Sequence, residues 1–141
     1  MIKSGVKGHF ELKNIQFKYE TRNNYVFEDF SISLDIGKKI AFVGHSGCGK
    51  STIFQLLQRF YEPSKGQILV DGVDIKDYDI HYLRSCFGVV SQEPVLFNGT
   101  FKENIIYNLE NVAEEEMVNA AKKANALAFI EGEEKLVSEA E

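Results

Sequence analysis

Eight consecutive residues, Gly44-His45-Ser46-Gly47-Cys48-Gly49-Lys50-Ser51, have the makeup of an anion cradle. The three glycines let the backbone curl tightly and aim several N–H groups at one point, where a Cβ would obstruct the approach. Lys50 adds a point charge, and Ser51 adds a hydroxyl able to ligate a hard cation such as Mg²⁺. Thr52 supplies a second hydroxyl next in line, suited to an α-phosphate. The spacing is G-x-x-x-x-G-K-[ST], in which the loop wraps phosphates and the lysine reaches the β- and γ-positions. These residues predict a nucleoside triphosphate site with Mg²⁺, formed by positions 44–52.

Such a loop works only between a strand that delivers it and a helix that receives it. Residues 40–43, Ile-Ala-Phe-Val, form a continuous apolar run that predicts a strand buried on both faces. After the loop, Ile53, Leu56, Leu57 and Phe60 mark one face of a helix starting near Gly49 and stopping before Glu62-Pro63. The dipole of that helix adds positive potential at its start. Upstream, Phe10 and Leu12 alternate and then shift phase at Asn14 to Ile15, Phe17 and Tyr19, as in a strand with a bulge. Phe30, Ile32, Leu34 and Ile36 give a second alternating strand. Asp71-Gly72 between two apolar segments predicts a hairpin. Residues 87–91 read as another buried strand, Thr100-x-x-Glu103 as a reciprocal helix cap, and Met117, Ala121, Ala124 and Ala128 as the stripe of a longer helix. Residues 131–141, with five glutamates, read as an acidic tail that frays, leaving 1–130 as the folded domain.

Composition removes several alternatives. A net charge of −5 disfavours nonspecific binding to nucleic acid or an acidic membrane surface. No apolar run approaches the ~20 residues that span a bilayer, so no membrane span is expected in this chain. Cys48 and Cys86 lack metal-ligand spacing and suit a reducing compartment. His9, His45 and His81 read as loop or surface residues, and Glu114-Glu115-Glu116 as the solvated start of a helix.

The loop, together with Phe17-Lys18-Tyr19, Arg59-Phe60-Tyr61-Glu62-Pro63, Gly66-x-Ile68-x-x-Asp71-Gly72-x-Asp74-Ile75, Leu83-Arg84 and Val90-Ser91-Gln92-Glu93-Pro94-Val95-Leu96-Phe97, resembles the nucleotide-binding domain of ABC transporters, especially multidrug-resistance-type exporters. The resemblance implies an α/β P-loop NTPase core with an N-terminal antiparallel β subdomain. It implies Tyr19 as an aromatic stacking on adenine, and Gln92 as a ligand of Mg²⁺ that also reaches the attacking water. Lys50 and Gln92 would then be the catalytic pair and Ser51 and Gln92 the metal-binding pair. It further implies a transmembrane-domain partner facing the segment up to Phe97, a second nucleotide-binding domain, and a place on the cytoplasmic face of a membrane. The transported substrate is not written in these residues.

The family's signature motif, its apolar strand ending in Asp-Glu, and its later histidine have no counterpart in this sequence. The implied fold is therefore truncated and its sheet incomplete. A non-catalytic nucleotide-binding or partner-binding module is the alternative reading. A kinase or GTPase sharing only the loop would show a base-specifying N-K-x-D or an arginine lid, and neither is present. Because phosphoryl transfer depends on positioning water and balancing charge, ATP turnover by the purified chain is expected to be negligible in a phosphate-release assay. Turnover matching a complete ABC domain and lost in Lys50→Ala would contradict this.

Overall fold

The computed structural model describes residues 2–138, with side chains through residue 132. The chain divides into two compact units, Met1–Val89 and Val90–Glu141.

In the first unit, β1 (Phe10–Phe17) pairs antiparallel with β2 (Phe27–Leu34) on one edge and with β3 (Lys65–Val70) on the other, and β3 pairs with β4 (Val73–Asp74), giving the order β2-β1-β3-β4. The phase shift in β1 is a bulge. Register slips between Leu12 and Ile15, and Asn14 takes a φ of 49°. The N–H of Asn14 donates to Ser31 Oγ at 2.8 Å and its amide donates to Asp29 at 3.0 Å, so the displaced residue keeps polar partners. Gly66 lies opposite the bulge with φ +86°, and a Cβ there would collide with the backbone of Lys13 and Asn14. The bulge also returns Leu12, Ile15 and Phe17 to one face, where all three are buried.

Helix α1 (Lys50–Leu57) contributes Ile53, Leu56 and Leu57 to the same core, with Ile68 and Val70 of β3 and with Leu83 of α2 (Ile80–Ser85). The predicted fourth member of the stripe, Phe60, is exposed. Gln58 caps the helix, and Arg59 then turns left-handed at φ 53°. Arg84 closes this end: it donates to the carbonyls of Gln58 and Arg59 at 3.2 and 3.1 Å, and its guanidinium lies 4.5 Å from the centre of the Phe60 ring. A cation at a helix C-terminus satisfies carbonyls left without intrahelical partners.

Two expected strands do not form. Residues 40–43 and 87–91 have no strand assignment, Val43 is 92% exposed and Val90 98%, and no strand of the described residues ladders with either segment. A run apolar on both faces becomes a strand only when neighbours supply both its hydrogen bonds and its cover. Apolar composition alone does neither.

In the second unit, α3 (Phe101–Ile105) begins with the expected reciprocal cap between Thr100 and Glu103. The predicted longer helix is two, α4 (Glu114–Lys123) and α5 (Leu127–Ser138), separated where Asn125 takes a φ of 56°. Helix α5 thus runs through much of the segment read as a fraying tail, while residues 139–141 lie outside the described residues. Asn104 holds the preceding loop, accepting from Phe97 N at 2.8 Å and donating to the Phe97 and Thr100 carbonyls at 3.0 and 2.9 Å.

The expected hairpin turn at Asp71-Gly72 has a second use. The Asp71 carboxylate accepts the N–H groups of Lys7, Gly8 and His9, at 2.6, 3.3 and 3.0 Å, and so fastens the N-terminal segment to the sheet. Partial burial pushes this carboxyl up, but the N–H groups of His9, Lys7 and Gly8 outweigh it and leave its pKa below the ordinary value. A depressed folded pKa stabilises above the unfolded value of about 3.9, and that contribution is lost as pH falls through the folded value. Asp71→Ala is expected to cost about 1–2 kcal/mol at pH 7 in urea unfolding, with the difference from the parent shrinking as the pH approaches 3.

Candidate functional site

The loop at 44–49 leads directly into α1, whose N-cap, Gly49, has φ 99° and ψ 6°. This conformation and its surroundings both demand glycine. A Cβ on Gly49 would lie 2.6 Å from the Phe27 ring and 2.8 Å from Val26, so the start of α1 is seated against the beginning of β2 with no room for a methyl. At the other end of the loop, a Cβ on Gly44 would meet Cys48 Sγ at 2.7 Å.

Lys50 closes the loop on itself. Its ammonium donates to the carbonyls of Gly44 and His45, both at 2.8 Å, and lies 3.6 Å from Cys48 Sγ. The side chain therefore folds back across the loop from the first turn of the helix, fixing a cation beside the helix start. The first N–H groups of any helix have no intrahelical acceptor, and the first α-type bond here runs from Ile53 to the Gly49 carbonyl. A fixed ammonium beside such donors makes an anion site.

Ser51 is exposed at the second position of α1, and His45 and Ser46 are exposed on the loop. Thr52 is only 5% exposed, and its hydroxyl is 2.8 Å from the hydroxyl of Tyr19. Tyr19 lies just past the end of β1 and packs edge-on with Phe17 at 5.0 Å and Tyr61 at 5.2 Å, with the Arg22 guanidinium 5.7 Å from its ring centre. Beside the loop is a hollow of about 480 Å³ lined by Arg22, Asn23, Asn24, Tyr25, Val26 and Gly47. That volume lies in the range of small-molecule sites. None of its five residues from 22 to 26 was singled out from the sequence, because turn residues of mixed polarity carry no periodic signal.

Gln92 belongs to the second unit, where it is exposed in a segment without regular structure. That unit has its own apolar hollow of about 440 Å³, whose lining includes Leu96, Phe101, Ile105, Ala121, Ala124 and Phe129. Among the described residues no group of three or more His, Cys, Asp or Glu could hold a metal ion.

A glycine loop closed by its own lysine at the head of a helix on a sheet defines the class as P-loop nucleotide-binding proteins. Comparison with known proteins narrows it. Residues 27–139 match the family described as ABC transporter. The chain is 52% identical over 126 residues to ABC transporter B family member 2 of Dictyostelium discoideum, covering 89% of this chain and 9% of that protein. It is 50% identical over 129 residues to mouse ATP-binding cassette sub-family B member 5, covering 89% and 10%. A bacterial Atm1-family ABC exporter, solved with ATP bound, superposes with a TM-score of 0.83 at 38% identity, over 89% of this chain and 22% of that one. The chain belongs to the ABC transporter family, and the solved structure it superposes on is that of an exporter. It spans about a tenth of the length of the curated relatives it matches.

The seat of Gly49 gives a direct test. Gly49→Ala adds a methyl where φ is positive and two side chains are already in contact range, and such strain costs of the order of 1–3 kcal/mol. The urea midpoint of Gly49→Ala is expected to fall accordingly, whereas Gly47→Ala, with open space around its Cβ, is expected to lose less.

Proposed function

We propose that residues 44–52 hold the triphosphate of ATP, as part of the ATPase domain of an exporter that moves a substrate across a membrane. The observation that carries this reading is Lys50, whose ammonium is fixed 2.8 Å from two loop carbonyls at the head of α1. Carbonyls are neutral partners for an ammonium, and phosphate oxygens are charged ones that form the stronger bonds. Lys50 exchanges the first for the second, taking the β- and γ-phosphates, and the N–H groups at the start of α1, which have no intrahelical acceptor, serve the same anion. Thr52 serves the α-phosphate through its backbone N–H, because its hydroxyl is engaged by Tyr19.

The donor set fits Mg²⁺ only with the nucleotide. The described residues offer no carboxylate cluster, so Ser51 supplies a neutral oxygen and the phosphates supply the rest. When bound, Mg²⁺ neutralises charge on the β- and γ-phosphate oxygens. Tyr19 stacks on adenine.

Among the described residues no helix is long and apolar enough to cross a membrane. We assign that role to a transmembrane-domain partner, with the domain on the cytoplasmic face and a second nucleotide-binding domain completing the ATP site. The apolar hollow beside Leu96 and Phe101 supports docking of an apolar segment of the transmembrane partner. Equilibrium binding of labelled ATP tests the central assignment. Lys50→Ala is expected to weaken MgATP by about 10- to 100-fold, the worth of charge-assisted hydrogen bonds, and excess unlabelled ATP should compete. Equal affinity in Lys50→Ala would overturn it.

A further inference from the structure

Tyr19 is tied at its far end to the helix that begins at the phosphate loop. Its hydroxyl donates to Gln55 Oε1 at 2.6 Å. A phenol carries one proton, so the 2.8 Å contact with Thr52 must run the other way, with the Thr52 hydroxyl donating to the Tyr19 oxygen. Both hydrogen-bonding capacities of the phenol are therefore spent on α1. The backbone end of the side chain is fixed just past β1, and the edges of Phe17 and Tyr61 restrict rotation about the ring's long axis. Little torsional freedom remains.

We propose that Gln55 is a positioning residue for nucleotide recognition: by accepting the Tyr19 hydroxyl it fixes the ring that receives the base, in register with the phosphate loop one turn earlier on the same helix. The inference rests on the reading of Tyr19 as the base-stacking residue. Gln55 itself touches neither base nor phosphate in this account. It acts by removing rotamer freedom from Tyr19 before the nucleotide arrives, so that less ordering is left to the binding step. Thr52 links the two halves, since it sits on the phosphate-binding turn and donates to the same phenol oxygen. An untethered ring could still stack, but would first have to be ordered.

The test compares MgATP with magnesium tripolyphosphate, which has the phosphates and no base, by calorimetry on the 141-residue chain. Gln55→Met, similar in length and lacking the acceptor, is expected to weaken MgATP about three- to tenfold and to leave tripolyphosphate unchanged. Gln55→Glu keeps the acceptor and is expected to bind MgATP within about twofold of the parent, the rescue predicted for a hydrogen-bonded tether. Tyr19→Phe, which removes the bonds to both Gln55 and Thr52, should weaken MgATP at least as much as Gln55→Met, and the double variant should lose no more than Tyr19→Phe alone. Equal weakening of both ligands by Gln55→Met would make Gln55 a general support of α1 and overturn the proposal, as would unchanged MgATP affinity. A parent chain that binds tripolyphosphate and MgATP equally refutes the base-stacking reading and this inference together. A parent that binds neither refutes the nucleotide site itself.

Discussion

The close approach of Gly49 to Phe27 and Val26 is the constraint on which the rest of the first unit depends. It sets where α1 starts relative to the sheet, and every group of the candidate site is measured from that start. Lys50 leaves the helix one residue later and returns to the Gly44 and His45 carbonyls. Thr52 and Gln55, on the first two turns, meet Tyr19 beyond the end of β1. Ile53, Leu56 and Leu57 then bury an adjoining face of the helix in the core with residues of β1 and β3. A methyl on Gly49 would have to move either the helix start or the aromatic seat beneath it, and each holds the other in place.

The loop combines a rigid frame with replaceable internal bonds. Its frame leaves no room for a Cβ at Gly44, against Cys48, or at Gly49, against Phe27. The bonds from Lys50 to the carbonyls keep the ammonium at the loop rather than in solvent. An anionic acceptor within reach of that ammonium would form stronger bonds than these neutral carbonyls.

Much of this was legible in the sequence wherever the signal was local. The phase shift at Asn14 marked the β1 bulge, Asp71-Gly72 marked the hairpin, and Thr100 with Glu103 marked the cap of α3, because each depends on residues close in the chain. Residues 40–43 and 87–91 were misread because their apolar runs describe strands inside a two-sided sheet, and strandhood of that kind belongs to the neighbours as much as to the segment. Phe60 fitted the helical stripe, yet the chain leaves the helix at Arg59 and the exposed ring meets Arg84, a partner 24 positions away that periodicity cannot find. The glycine loop and the helix it leads into were legible because that motif is contiguous. The tether from Tyr19 to Gln55 was not, since nothing in a lone polar residue on a helix names a phenol 36 residues distant.

The central claim is that the backbone at 47–52 forms the phosphate cradle, and amide proton shifts read that backbone directly. On titrating MgATP into the isotopically labelled chain, the N–H protons of Gly47, Gly49, Lys50, Ser51 and Thr52 should move downfield as they bond to phosphate oxygens, while those of the β1–β3 ladder stay in place. Saturating MgATP that leaves the loop amides unmoved, or shifts only residues outside the loop, would contradict the account.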